Sequence, residues 1–132
     1  MTLHPRRLAS LLALLAPLAL LAPSTLQAGE DPDGLYAILC AACHGQGQTA
    51  IGPYPPLFGN ATLASGGPLY VAVKALRGSG NMFPLCGLAP DEELTLLANH
   101  LARVNDSPAP AISLEEVAAL RPPPDECPDV EY

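Results

Sequence analysis

One short motif constrains the fold of this chain more than any other feature: Cys40-Ala41-Ala42-Cys43-His44. Two thiols three residues apart, followed directly by an imidazole, are the groups that attach a c-type haem covalently. The two sulfurs bond to the haem vinyl groups, and the histidine binds one face of the iron. A random arrangement of four cysteines and three histidines in 132 positions produces this motif in roughly 0.2% of sequences. The motif therefore predicts one covalent haem c on Cys40 and Cys43, with His44 as an iron ligand.

Two other interpretations of the same cysteines are a thioredoxin-type redox pair and half of a zinc site. A thioredoxin-like domain has strands rich in β-branched residues, and no such runs flank Cys40. A zinc site of this kind has a second pair of cysteines at close spacing, whereas Cys86 and Cys127 lie far apart in the chain. The histidine after Cys43 favours haem attachment over both.

The first 28 residues have the pattern of a cleaved signal peptide. Arg6 and Arg7 precede an apolar run over 8–22, and small residues follow over 23–28. The run is shorter than the roughly 20 apolar residues that span a bilayer. We therefore expect export to the periplasm, a soluble mature chain over 29–132, and no membrane span after cleavage. Disulfides persist in that compartment.

The charge of the predicted mature chain is strongly acidic. It contains four Lys and Arg residues and 13 Asp and Glu residues, which gives a net charge of −9. This balance argues against nucleic acid and against anionic membranes as partners. It favours redox partner proteins with basic or locally complementary surfaces.

Helical signals dominate the chain and predict an all-α fold. The apolar periodicity and capping residues indicate four helices, at about 33–43, 68–77, 90–104 and 113–120. The Gly- and Pro-rich stretch over 45–65 is predicted to be a loop that wraps the haem. We expect a haem domain over 29–104 and a C-terminal extension over 105–132, which carries the fourth helix and an acidic, Pro-rich tail.

Met82 is the strongest candidate for the second axial ligand of the iron. It is the only methionine left after signal cleavage, and it lies in a Gly- and Asn-rich turn rather than on a helix face, where methionine is usually core filler. Ligation by histidine and methionine suits electron-transfer haems of raised potential. His100, Cys86 and Lys74 are the alternatives.

These features together resemble a small class I (monohaem) cytochrome c. The resemblance covers roughly residues 31–104 and rests on four segments besides the attachment motif: Gly34-Leu35-Tyr36, Gly52-Pro53-Tyr54-Pro55-Pro56-Leu57, the methionine turn ending in Pro84, and Pro90-Asp91-Glu92-Glu93. It implies that the first and third helices cross near Gly34. It also implies that a loop proline carbonyl, of either Pro53 or Pro55, accepts a hydrogen bond from His44. Leu57 is expected in the haem pocket.

The chain departs from that family in two places. The family often has an aromatic residue at the position of His100. The chain also continues past the third helix to Cys127. Since Cys40 and Cys43 are committed to haem, Cys86 and Cys127 are the remaining thiols, and we expect them to form a disulfide. The alternatives are two free thiols or an intermolecular bridge.

The resulting functional prediction is a single-electron carrier, not an enzyme, because no base–nucleophile pair or substrate site is recognisable. The alternatives are a haem subunit of a periplasmic dehydrogenase and, less favoured, a haem-based gas-binding module. The donor and acceptor are not identifiable from the sequence. Lys74 and Arg77, three residues apart, are a candidate basic docking patch; the alternative is two ordinary solvated side chains.

Overall fold

The computed structural model describes residues 31–127 and is all-α, as predicted. Its elements are α1 (Pro32–Leu39), α2 (Ala41–His44), α3 (Ala61–Arg77), α4 (Asp91–Val104), α5 (Leu114–Leu120) and a 3-10 turn at Pro124–Glu126. Between residues 31 and 127, extended pairing is limited to two isolated bridges. None of the helices in this part of the chain is long and apolar enough to cross a bilayer. The predicted signal peptide, 1–28, lies outside the described residues.

The helix predicted over 33–43 is two helices separated by a break at Cys40. The side chain of Asp31 caps α1 by accepting hydrogen bonds from the backbone N–H groups of Asp33 and Gly34. Cys40 leaves the helical region, with φ −126° and ψ −39°, and its carbonyl accepts the N–H of His44 at 2.9 Å. The break therefore starts a new turn that carries Cys43 and His44.

Helix α3 begins at Ala61, so the prediction of a loop up to residue 65 was wrong at its C-terminal end. The Asn60 side chain caps the helix, accepting from the N–H groups of Thr62 and Leu63 at 2.9 and 3.2 Å. A kink at Gly67, with φ +65°, divides α3 just before Pro68. A Cβ at Gly67 would lie 2.5 Å from that of Ala109, so both the positive φ and the close approach require glycine there.

The core lies mainly between α3 and α4. Helix α4 matches its predicted span, and its apolar stripe is buried: Leu94, Leu97 and Leu101 are 1–2% exposed. Leu76 of α3 packs into the same cluster and is fully buried. Leu97 and Leu101 also line a cleft beside the CxxCH motif, so this core continues into the candidate site.

His100 fills the contact between α1 and α4. Its ring is buried, with Nε2 3.2 Å from a carboxylate oxygen of Asp33, the neighbour of Gly34. Arg103 donates to Nδ1 at 3.1 Å. The helices thus meet near Gly34, as the resemblance implied, with an imidazole where the family often has an aromatic ring.

The described part of the C-terminal extension packs against α3 and α4. The Asn99 side chain binds both the N–H and the carbonyl of Ile112 at 2.9 Å. Val117 of α5 is fully buried. Ser113 and Glu116 form a capping box at the start of α5, where the sequence predicted the fourth helix to begin. The extension is therefore part of the folded core.

Candidate haem site

The CxxCH motif lies on the wall of a mainly apolar cleft. Cys40 and His44 are buried and Cys43 is half-buried. The cleft encloses about 840 Å³ including its open mouth. Apolar side chains of α3, α4, the Pro-rich loop and the segment after Met82 supply much of its lining: Leu57, Leu63, Val71, Ala75, Leu85, Leu97 and Leu101. A macrocycle with two vinyl groups at the thiols would replace water in this cleft with apolar contacts on several sides.

The ring of His44 is oriented by the loop that the sequence placed around the haem. Its Nδ1 lies 2.7 Å from the carbonyl oxygen of Pro55, and this hydrogen bond resolves the choice between Pro53 and Pro55. Nδ1 is then the protonated nitrogen and donates to that carbonyl. Nε2 has no hydrogen-bond partner among residues 31–127. The neutral imidazole therefore has the tautomer needed to bind a metal through Nε2.

Tyr36 fixes the backbone that follows the motif. Its hydroxyl donates to the carbonyl of Gly45 at 2.5 Å, and its ring meets Phe58 edge-on, with the centroids 4.8 Å apart. Burial, with a smaller contribution from Cys40, raises the pKa of Tyr36, so the hydroxyl remains a donor. Tyr36 thereby links α1, the residue after His44 and the Pro-rich loop.

Asn105 is a positioning residue that the sequence analysis missed. It is buried at the end of α4, where its amide donates to the carbonyls of Leu57 and Leu101 at 2.8 and 2.7 Å. Its side-chain oxygen accepts from the N–H of Asn60 at 2.6 Å. An asparagine after a helix is an ordinary C-terminal signal, so its contacts 45 and 48 residues away could not be read from the sequence.

Met82 lines the same cleft as His44. Its turn is tightly built, because Ser79 and Met82 exchange two backbone hydrogen bonds of 3.0 Å. Gly78 has φ +70°, and a Cβ there would lie 2.3 Å from the Met82 carbonyl oxygen. Ligation by Met82 remains a prediction.

The alternative ligands separate into two groups. Lys74 also lines the cleft, whereas His100 lies at the α1–α4 contact and the Cys86 sulfur faces Cys127. Neither His100 nor Cys86 is among the lining residues. Lys74 is therefore the remaining rival to Met82 within the described residues.

Lys74 and Arg77 differ in exposure, and their role as one docking patch remains a prediction. Arg77 is exposed, but Lys74 is half-buried, with its ammonium 3.1 Å from the Ser79 hydroxyl and 5.7 Å from the centre of the Tyr70 ring. Lys74 thus directs its charge to the cleft and to the methionine turn. The sequence spacing alone suggested a common surface patch.

The structure brings Cys86 and Cys127 together, with their sulfur atoms at bonding distance and their Cα atoms 5.9 Å apart. The 41-residue separation spans α4 and α5. This is the pairing expected for the two cysteines that are not part of the haem attachment motif. It connects the extension to the loop that follows the methionine turn.

Cys127→Ser is expected to lower the free energy of unfolding by about 2–4 kcal/mol, because closing a loop of this length restricts the unfolded chain. Chemical unfolding of the variant and the wild type measures the difference, with Cys86→Ser/Cys127→Ser as a control for the single free thiol. Unreduced, denatured wild-type protein should show no free thiol. Two titratable thiols in that sample would contradict the pairing.

The environment of Cys40 does not suit a reactive dithiol. Burial, and then the neighbouring Cys43, raises the pKa of the Cys40 thiol to about 12, whereas thioredoxin-type cysteines react through a lowered pKa. Within residues 31–127, no group of three or more His, Cys, Asp or Glu side chains comes close enough to hold a metal ion. The apolar cleft, in contrast, fits a haem held by the two thiols.

Comparison with protein families identifies the chain. The family model described as "Cytochrome C oxidase, cbb3-type, subunit III" matches residues 27–101, more than half of the chain. The match includes the CxxCH motif, Pro55 and Met82. No curated protein matches the chain. The chain belongs to the class I, monohaem cytochrome c family, whose members carry covalently bound haem c and serve haem-based electron transfer.

Proposed function

We propose that this protein is a periplasmic one-electron carrier with one haem c on Cys40 and Cys43 and with His44 and Met82 as axial ligands. The observation that carries the proposal is the shared cleft, which the two thiols, the imidazole and the thioether all line. When bound there, the haem supplies an iron that cycles between Fe(II) and Fe(III). The single CxxCH motif supports one haem per chain.

The residues of the cleft would set the potential and the rigidity of the site. The hydrogen bond from His44 to Pro55 fixes the imidazole orientation. Leu97 and Leu101 exclude water and, together with a neutral thioether, disfavour the additional charge of the oxidised state, which raises the potential. Since electron transfer moves no heavy atoms, a site held on helices and a tight turn suits it.

The division into a haem domain over 29–104 and an extension over 105–132 is also a proposal. It is supported by the family match, which ends at residue 101. The extension, up to residue 127, packs on the domain rather than forming a separate core.

The partners are proposed to be redox proteins that dock on an acidic surface. The net charge of −9 over 29–132 favours partners with basic or complementary patches. A second candidate role is a haem subunit of a larger periplasmic complex, such as a dehydrogenase. The description of the matching family names an oxidase subunit, which supports a role within a complex in general terms. Co-purification of the native protein distinguishes a complex subunit from a diffusing carrier.

The experiment that tests the carrier function is a redox titration combined with carbon monoxide exposure. We expect a reversible transition with the slope of one electron, and no spectral change when the reduced protein meets carbon monoxide at neutral pH. Stoichiometric binding of carbon monoxide would instead favour the gas-binding module, since that role needs an open iron position.

Lys74→Met is expected to lower the midpoint potential, because it removes a positive charge that opposes oxidation of the iron. A half-buried unit charge interacts with the charge on the iron by about 1 kcal/mol at a separation of roughly 15 Å and an effective dielectric constant of about 20. This energy corresponds to a shift in potential of about 40 mV. Arg77→Met is the matched control, since it makes the same charge change at an exposed position of the same helix. Equal shifts in the two variants would contradict the placement of Lys74 in the cleft.

A further inference from the structure

Arg121 connects the C-terminal extension to the loop before α4 and to the first residue of α4, through all three nitrogens of its guanidinium. Nε donates to a carboxylate oxygen of Asp91 at 2.6 Å, and one terminal nitrogen donates to the carbonyl of Ala89 at 2.8 Å. The other terminal nitrogen donates to the carbonyl of Cys86. Arg121 and Asp91 are both about a quarter exposed, so these bonds are partly shielded from water.

The loop that Arg121 binds, residues 85–90, joins the methionine turn to α4. Its first residue, Leu85, is 2% exposed, lines the cleft and donates its N–H to the carbonyl of Ala75 at 2.7 Å. The N–H groups of Leu88 and Ala89 return to the carbonyl of Leu85 at 2.9 and 3.0 Å. Arg121 therefore binds the carbonyls of this loop, while Leu85 at its start forms part of the cleft wall.

We infer that Arg121 is a positioning residue for Met82. The turn before Met82 is fixed by the close contact at Gly78 and by the paired bonds with Ser79. The segment after Met82 is fixed in two ways. Leu85 is hydrogen-bonded to α3, and the extension holds the segment through Arg121 and Cys127. Arg121 thus limits opening of the loop from which Met82 would leave the iron. This inference rests on the proposed ligation of the iron by Met82.

The geometry requires arginine rather than a positive charge alone. A guanidinium is a planar fork with five donors, so it can bind two carbonyls and a carboxylate at once. A lysine ammonium is a compact charge on a flexible stem and cannot reproduce the three directions. Substitution by glutamine removes the charge and leaves the carbonyl of Cys86 or Ala89 without its donor.

The test measures how fast cyanide displaces the sixth ligand from the oxidised, full-length holoprotein. Arg121→Gln is expected to accelerate displacement about tenfold, because the lost charge-assisted bonds make loop opening more frequent. Arg121→Lys is expected to lie between Arg121→Gln and the wild type. The weak near-infrared band of the oxidised protein that reports sulfur bonded to haem iron (the sulfur–iron band) should persist in both variants, since only the opening of the loop changes.

Two control variants separate positioning from general stability. Arg77→Gln removes an exposed arginine at the end of α3, whose side chain makes no hydrogen bond within residues 31–127, and should leave the rate unchanged. Val117→Ala opens a small cavity under α5 without touching the loop carbonyls. A wild-type rate in Arg121→Gln, or an equal acceleration in Val117→Ala at a matched loss of melting temperature, overturns the inference.

The same experiment distinguishes failure of the proposed His/Met ligation from failure of the role inferred for Arg121. If the wild-type protein lacks the sulfur–iron band, His/Met ligation fails and the role of Arg121 fails with it. If the band is present and the Arg121 variants exchange ligand at the wild-type rate, only the inference about Arg121 fails. Should Arg121→Gln not yield a haem protein, Arg121→Lys decides the matter by the same comparison.

Discussion

The Met82→Ala protein is expected to lose the weak near-infrared band of the oxidised state, at about 695 nm, that reports sulfur bonded to haem iron. It should also have a midpoint potential lower by on the order of 100 mV, within the roughly 0.8 V range that axial ligands set. A neutral thioether favours the reduced iron, and alanine supplies no replacement ligand. Cyanide and carbon monoxide should then bind readily. Absorption spectra and a redox titration of the purified variant measure all three effects.

The matched control for Met82→Ala is Phe83→Ala. Phe83 is the next residue, is 49% exposed and lines the same cleft, so its truncation perturbs the turn without removing the sulfur. It should retain the near-infrared band. Survival of the band in Met82→Ala would contradict the assignment, whereas absence of the band from the wild-type protein would make Lys74, which also lines the cleft, the ligand to test.

The Cys40→Ala/Cys43→Ala protein is expected to lose its covalent haem and most of its cooperative thermal unfolding transition. The cleft is lined by apolar side chains such as Leu57, Leu97 and Leu101, and without an anchored macrocycle these side chains lose their apolar contacts with it. The macrocycle buries an apolar surface comparable with that of several large side chains, each worth about 1.5–3 kcal/mol, so its loss is comparable with the whole stability of a small domain. Haem staining of denatured protein and calorimetry measure the two effects.

Cys86→Ser/Cys127→Ser is the matched control for that pair. It also removes two cysteines, but from a site outside the cleft lining, so haem should remain covalently attached while stability falls by the disulfide contribution alone. Covalent haem in the Cys40→Ala/Cys43→Ala protein would contradict the attachment assignment. Loss of haem from the control would show that the effect is a general consequence of removing cysteines.

Local signals made the motif and two helices predictable. The CxxCH spacing, the acidic first turn and leucine stripe of α4, and the capping box at Ser113 depend on neighbours within about one or two helical turns. The structure confirms both helices at these points. The start of α3 was also locally encoded, because Asn60 is a preferred N-cap residue, but the glycines and Pro68 after it favoured a loop.

Other features depend on contacts between distant parts of the chain. The choice of Pro55 over Pro53 depends on how the Pro-rich loop approaches His44 in the folded chain. The break at Cys40 likewise depends on the position that α2 takes relative to α1. The contacts of Asn105 and Arg121 join segments 30 or more residues apart. Local propensity contains no information on such pairs, which is why their roles emerged only in the folded structure.

Covalent attachment of the haem is tested by the intact mass of the exported wild-type protein after extraction with acidic acetone. Acid and solvent remove haem that is held only by ligation and packing, whereas thioether bonds survive. We expect a polypeptide over 29–132 heavier by the mass of one haem, with the addition located on the peptide that contains Cys40 and Cys43. A polypeptide of unmodified mass, with the haem recovered in the acetone, would contradict it.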